Sequence, residues 1–311
     1  MAITAQMVKE LRDMTGCGML DSKKALEASN GNIDEAIEYL RKKGLAGAEK
    51  KAGRITAEGV SFTKLSDDYK SGVVVEVNSE TDFVAKNDKF KTYVANVADQ
   101  ILDSNAKDVE ELFTEKWHLD NSKTVKDELV SQISVIGENL NIRRFTKIVT
   151  DGVVVPYIHG GGRIGVLVEA STAVVNDEVK EALKNIAMQI AALNPKYVSR
   201  DQVEPEFIEH EKEILLAQIK NDPKEASKPE KVIEGMIQGR ISKEMKEFCL
   251  LDQTYVKAED GKQTVAKYLE QISKNVGSDV KIKQFVRFET GEGLEKKSED
   301  FAAEVAKQMG N

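Results

Sequence analysis

Cysteine is scarce in this sequence: Cys17 and Cys249 stand far apart, with no CxxC or CxxH spacing at either. A disulfide framework or thiolate metal site is therefore not expected, and two free thiols in a reducing compartment are. Only three histidines occur, His118, His159 and His210, and none has a second His or a Cys at ligand spacing, so zinc is not expected either. No apolar run approaches the roughly 18 residues of a membrane span. The first ten residues show no basic stretch followed by an apolar one, so no signal peptide is expected and the cytoplasm is the expected location. There is no GxxxxGK[ST] phosphate loop, which argues against a nucleotide-hydrolysing domain in the chain itself. Positive charge is also in deficit. Lys and Arg number 45 against 53 Asp and Glu, a formal charge of −8, which argues against direct nucleic-acid binding because phosphate contacts come from clustered cations.

What is present is a 311-residue chain of ordinary apolar content, enough for two or three domains at roughly 100–200 residues each. Residues 4–43 read as three short helices. Thr4 can cap the first, whose Val8, Leu11 and Met14 recur at helical spacing before Gly16. Asp21 can cap the second, which ends at Asn30-Gly31. Asn32, with Glu35 three residues on, opens the third, whose stripe is Ile33, Ala36, Ile37 and Leu40. The module is taken as residues 1–44, followed by a Gly-, Ala- and Lys-rich linker over 45–59.

From Val60 the period changes. Residues 60–65 and 72–77 flank a polar turn and predict a hairpin. Helices follow at 88–102 and 124–136, strands at 142–149, 153–159 and 164–170, and a helix at 177–193. An internal repeat runs through this region. Val73-Val-Val-Glu-Val77 leads to a helix ending Val97-Ala-Asp-Gln-Ile101, and Val166-Leu-Val-Glu-Ala170 to one ending Ile186-Ala-Met-Gln-Ile190. Duplicated α+β subdomains with antiparallel sheets are the simplest account. One would span 60–140 and the other 141–202 with 249–290. Between the two parts of the second, residues 203–248 form two helical patterns around a turn with two prolines. That predicts an antiparallel hairpin, and its narrow stripe of Ile233, Ile237, Ile241, Met245 and Phe248 suits a coiled-coil-like arm. A short helix at 264–274, a strand at 280–288 and a terminal helix at 298–309, within a C-terminal module over 291–311, complete the α+β reading.

Catalytic constellations are wanting. Gly160-Gly161-Gly162-Arg163-Ile164-Gly165 fits GxGxxG literally, but it precedes a strand, whereas a dinucleotide fold needs it after one and opening a helix. It reads as a glycine-rich hairpin connection. His159 beside it has no acid–base companion in the pattern. No spacing picks out a carboxylate pair. The residues alone support a multidomain binding protein, not an enzyme, with no cofactor. One segment stands apart: Thr81-Asp82-Phe83-Val84, with Ala85-Lys86-Asn87, puts an aromatic into a polar loop. Such a Phe is more often tucked into the local core; exposed, it would be an anchor for a partner pocket.

The same residues resemble the signature loop of the elongation factor Ts family. Leu11-Arg12-Asp13-Met14-Thr15-Gly16-Cys17-Gly18-Met19-Leu20-Asp21 resembles that family's N-terminal module, which is similar to ubiquitin-associated (UBA) domains. Ile136-Gly-Glu-Asn-Leu-Asn-Ile-Arg-Arg144 resembles its central motif, His159 with Arg163-Ile164-Gly165-Val166-Leu167 the start of its second core half, and residues 285–293 with 300–305 its C-terminal module. The resemblance implies a guanine nucleotide exchange factor that releases GDP from elongation factor Tu. Thr81, Asp82, Phe83 and Val84 would disturb the partner's magnesium site, with Phe83 inserted and Asp82 supporting it. Arg12, Met19 and Leu20 of the N-terminal module and Phe301 of the C-terminal one would grip the nucleotide-binding domain, and His159 would touch another domain. The hairpin corresponds to a projection that varies among members and in some takes part in dimerisation, which leaves a homodimer open. A competing reading, an adaptor or scaffold built on the UBA-like module, would work without Phe83.

Overall fold

The computed structural model describes residues 3–295. The terminal helix expected at 298–309, and Phe301 within it, lie outside the described residues.

Three helices open the chain: α1 (Ala5–Thr15), α2 (Met19–Ala28) and α3 (Ile33–Lys51). Thr4 and Asn32 cap α1 and α3 as expected, each accepting a backbone N–H three residues on. Asp21 is not a cap. Gly18 takes that position and α2 starts three residues earlier, so Asp21 lies in the first turn, where its charge suits the helix dipole. Val8, Leu11, Leu26, Ala36 and Leu40 bury against one another as a small core of their own. The first part of the linker expected over 45–59, residues 45–51, is helix. Ala, Glu and Lys are strong helix formers, and α3 continues through Gly44 to Lys51. Gly44 sits against Ser134, which a Cβ at this position would meet at 3.6 Å, an ordinary van der Waals contact.

The core continues with β1 (Glu58–Leu65), β2 (Ser71–Ser79), α4 (Asp82–Lys86), α5 (Asp88–Asp103), α6 (Val109–Thr114), β3 (Lys116–Trp117), β4 (Asp120–Thr124), α7 (Val125–Ile136) and β5 (Leu140–Val149). Then come β6 (Val153–His159), β7 (Ile164–Ser171), α8 (Asp177–Leu193), α9 (Pro205–Asn221), α10 (Pro223–Ala226), α11 (Glu230–Phe248), α12 (Val265–Val276) and β8 (Lys281–Glu289). One antiparallel sheet has the order β1-β2-β5 and a second β6-β7-β8. Residues 141–149 therefore belong to the first unit, not the second as their place in sequence suggested: β5 pairs along the whole of β2.

The two sheets stack face to face with helices outside. Val73, Val75 and Val77 of β2 pack on Phe90, Val94, Val97 and Ile101 of α5 and on Leu129 and Ile133 of α7. Val74 points the other way and meets Ile148, Val154, Leu167 and Phe288 between the sheets. Val166, Val168 and Ala170 of β7 mirror this against Leu183, Ile186 and Ile190 of α8 and Leu269 of α12. Each such buried Val, Leu or Ile contributes roughly 1.5–3 kcal/mol.

The duplication extends well past the visible repeat. Both central strands carry a buried glutamate, Glu76 and Glu169, and in both sheets the ladder is bulged immediately after it, opposite a pair of polar residues, Arg143-Arg144 or Lys283-Gln284. Gln100 of α5 accepts the backbone N–H of His118 and donates to Glu115; Gln189 of α8 accepts that of Val256 and donates to Gln253. Thr124 and Thr264 cap the following helices, α7 and α12. Two insertions break the correspondence. The second repeat gains the hairpin α9–α11, and the first gains α4.

The hairpin closes on a short stem, where Lys196 and Tyr197 donate to the Phe248 carbonyl and Leu250 donates to that of Tyr197. Phe207 meets Phe248 at one end and Leu215 meets Ile241 and Met245 further along, so α9 and α11 run antiparallel. Their apolar cluster is separate from both repeat cores. Replacing residues 204–247 by a short Gly-Ser linker is accordingly expected to leave the remainder folding cooperatively. A urea melt followed by circular dichroism checks this; loss of the cooperative transition would make the arm part of the core.

Candidate partner-binding site around Phe83

β2 is buried along nearly its whole length, and the chain surfaces only at its end. There the Ser79 hydroxyl donates to the Thr81 carbonyl (3.0 Å), and Thr81 caps α4 by accepting the Val84 N–H (3.3 Å). Five residues of helix carry a clear division of faces. Ala85 is buried and Val84 is half-buried against the first core cluster, whereas Phe83 is 83% exposed. Asp82 and Lys86 form an exposed pair at 2.6 Å. The Lys86 hydrogen bond holds the Asp82 carboxyl below its usual range, and Asp82 raises Lys86 in turn, so both stay charged beside the ring.

An exposed apolar side chain is ordinary by itself. Phe83 differs in being mounted on a turn held from beneath. Glu138, just beyond α7, accepts the N–H groups of Glu80 and Thr81 (both 3.1 Å) and the Thr81 hydroxyl (2.6 Å). Reciprocally, the Glu80 carboxylate accepts the Asn139 N–H (2.6 Å) and an Arg54 guanidinium hydrogen (3.2 Å), while the Asn139 amide donates to the Ala52 and Arg54 carbonyls. The turn is thus ordered before any partner arrives, which lowers the entropic cost of binding. Glu138→Ala is expected to destabilise the protein by about 1–3 kcal/mol, because two amides and a hydroxyl lose one acceptor. A lowered thermal midpoint together with faster hydrogen exchange at the Thr81 amide would show it.

The sister repeat sharpens the point. Between Ser79 and Asn87, which caps α5, lie seven residues; between the corresponding Thr172 and Asn176, which caps α8, lie three. The second repeat makes the same strand-to-helix connection without α4. The Phe83 turn is therefore surplus to the scaffold.

The other expected contact residues fall elsewhere. Met19 and Leu20, at the start of α2, are 57% and 74% exposed. Arg12 lies on α1 with its guanidinium on Asp13 (2.9 Å). Both helices belong to the module that α3 docks on α7, the helix that leads into Glu138 and Asn139. His159 ends β6, its Nδ1 3.0 Å from the Tyr157 hydroxyl. The turn after it, with Gly160, Gly161 and Arg163, lines one cleft of about 370 Å³ together with Asp82, Ala85 and Lys86. Asp82 and the glycine turn that follows His159, far apart in sequence, thus face the same cleft. Glu138, Asn139 and Glu80 were not expected as site residues; the signal for the first two was the central motif around Gly137-Glu-Asn139, read as a resemblance without a role, and Glu80 directly precedes the Thr81–Asn87 segment.

No group of three or more His, Cys, Asp or Glu side chains able to hold a metal ion occurs among the described residues, and none of their helices is long and apolar enough to cross a membrane. A duplicated scaffold that presents an exposed aromatic side chain from a pinned turn carries the kind of anchor used at protein–protein interfaces. The sequence pattern of the family described as Elongation factor TS matches residues 80–292. Proteins named "Elongation factor Ts" are similar over 99% of both chains: one from Clostridioides difficile (strain 630) is 50% identical over 307 residues, and one from Clostridium novyi (strain NT) 51% over 308. A third, from Clostridium perfringens (strain 13 / Type A), is 51% identical over 309 residues. The chain belongs to the elongation factor Ts family of translation factors.

Proposed function

We propose that the protein is a guanine nucleotide exchange factor acting on elongation factor Tu in the cytoplasm, and that it acts by contact alone, without covalent chemistry, a cofactor or direct nucleic-acid binding. Family membership supports the partner; the observation that carries the mechanism is Phe83 held out on a turn that the scaffold does not need. In this reading Phe83 and Asp82 enter the partner beside its magnesium site, with Thr81 and Val84 fixing the turn. The ion neutralises phosphate charge, so displacing it weakens nucleotide binding. Arg12, Met19 and Leu20 of the UBA-like module and Phe301 supply the grip on the nucleotide-binding domain, and His159 meets a further domain. The coiled-coil-like arm is assigned to self-association or to added partner contact.

The magnitudes require several contacts. Weakening GDP 10⁴-fold takes about 5.5 kcal/mol of differential binding, and burial of one Phe yields about 1.5–3 kcal/mol. The rest must come from the wider interface. Coupling is reciprocal, so a nucleotide expelled by the factor must expel the factor in turn. The complex of this protein with nucleotide-free elongation factor Tu is therefore expected to elute as one species on gel filtration and to come apart when GDP and Mg²⁺ are added. A complex indifferent to GDP would contradict the reading and favour an adaptor built on the N-terminal module.

A further inference from the structure

An ionised carboxylate taken wholly out of water must have its lone pairs satisfied. Glu76, 0% exposed, meets this with donors from three parts of the chain. Its Oε1 accepts the Gly291 N–H (2.8 Å), the Asn78 amide (3.0 Å) and Arg143 Nη1 (3.0 Å); its Oε2 accepts Arg144 Nε (2.6 Å). Each side-chain donor has a second hold. The Asn78 amide also donates to the Glu58 carbonyl (3.1 Å), where the chain arrives from the N-terminal helices. Arg143 Nη2 donates to the Glu292 carbonyl (2.6 Å), and Arg144 Nη2 to the Glu289 carbonyl (3.3 Å). Ser79, next to Asn78, begins the connection into the Phe83 turn.

The sister carboxylate shows what is peculiar to this site. Glu169, at the same place in its own sheet, accepts from Thr150 (2.6 Å) and Gln284 (2.6 Å) and pairs with Lys283 (3.4 Å). Those partners lie in the link before β6 and in β8, so Glu169 stitches its own repeat. Only Glu76 draws a backbone amide from the segment that follows the other repeat.

We infer that Glu76 is a positioning residue for exchange: its buried carboxylate holds the entry to β1, the approach to the Phe83 turn and the segment after β8 in one fixed relation. This rests on the proposed function, since surfaces that must engage one partner together gain from each other only when their geometry permits simultaneous contact. A carboxylate needed merely to fill the core would predict that Glu76 and Glu169 are interchangeable in effect.

The test compares Glu76→Gln with Glu169→Gln in the full chain. Gln keeps the volume and removes the charge. Two readouts are used: amide hydrogen exchange of the protein alone, and release of fluorescent GDP from elongation factor Tu against factor concentration. For Glu76→Gln, exchange is expected to quicken about tenfold at both 79–84 and 289–292, and the plateau release rate to fall about tenfold with little change in the half-saturating concentration. Glu169→Gln should leave both near wild type. The inference is overturned if Glu76→Gln leaves the 79–84 amides protected, or if Glu169→Gln lowers the plateau as much. Should Glu76→Gln fail to fold, Arg143→Gln decides, because it leaves Glu76 its Arg144, Asn78 and Gly291 donors. Faster exchange at 289–292 with a lowered plateau then supports the inference, and no change in either refutes it. If wild type itself does not accelerate release, the exchange reading has failed, and the hydrogen-exchange comparison still decides whether Glu76 holds the three segments together.

Discussion

Phe83→Ala is expected to cut the acceleration of GDP release from elongation factor Tu by about 10–100-fold, the rate equivalent of losing roughly 1.5–3 kcal/mol of apolar burial in the complex. The melting temperature should stay within about 2 °C of wild type, because substitution of an exposed side chain rarely moves stability by more than about 0.5 kcal/mol. The separation of the two effects follows from the local structure. Phe83 stands in solvent while Val84 and Ala85 hold α4 to the core, and Glu138 holds the turn's backbone. Truncating the ring removes nothing that the free protein uses. Phe83→Leu, which keeps part of the apolar volume, should fall between. Stopped-flow release at saturating factor measures all three. Equal plateaus for wild type and Phe83→Ala would remove the ring from the mechanism.

The largest stability effect is expected at a pair of glycines that the duplication makes equivalent. Gly59 and Gly152 each precede the first strand residue to pair deep in its sheet, and a Cβ at either would sit inside the contact radius of a carbonyl, Val77 O for Gly59 and Ala170 O for Gly152. These are backbone atoms of central strands and cannot turn aside. Gly59 also has φ +136°, a conformation that side chains resist. Gly152→Ala is therefore expected to cost about 1–3 kcal/mol by overpacking, and Gly59→Ala about 2–5 kcal/mol as strain is added. Urea denaturation measures both. Small effects at both sites would mean that the strands can part, and the two-sheet packing would need revision.

The sequence showed the architecture where both local pattern and burial pointed one way. Helices α5, α7 and α8 carry wide apolar faces, and the repeated Val-Val-Val-Glu-Val run belongs to a strand covered on both sides. Strand membership was harder. Residues 140–149 follow α7 and precede β6, and nothing local tells that they pair back to β2 across the intervening helices. The extension of α3 was hidden because Gly44 and Gly47 read as linker until Ser134 is seen against Gly44. The short α4 is below the length at which periodicity speaks, so its division of faces, and with it the exposure of Phe83, could not be read. The carboxylates were the least legible. In sequence Glu76, Glu80 and Glu138 look like solvated charge; their roles depend on donors 215, 59 and 57 positions away, respectively. Met19 and Leu20, proposed as contact residues on resemblance alone, are exposed on the N-terminal module.

The most direct test is catalytic turnover. Elongation factor Tu loaded with fluorescent GDP is mixed with excess unlabelled GDP at millimolar Mg²⁺, with and without this protein at a small fraction of the elongation factor Tu concentration. The account predicts complete release of label at a rate proportional to the added protein, each molecule serving many partners, with the dependence weakened about 10–100-fold in Phe83→Ala. Release at the unassisted rate, or only in amounts stoichiometric with the added protein, would contradict it.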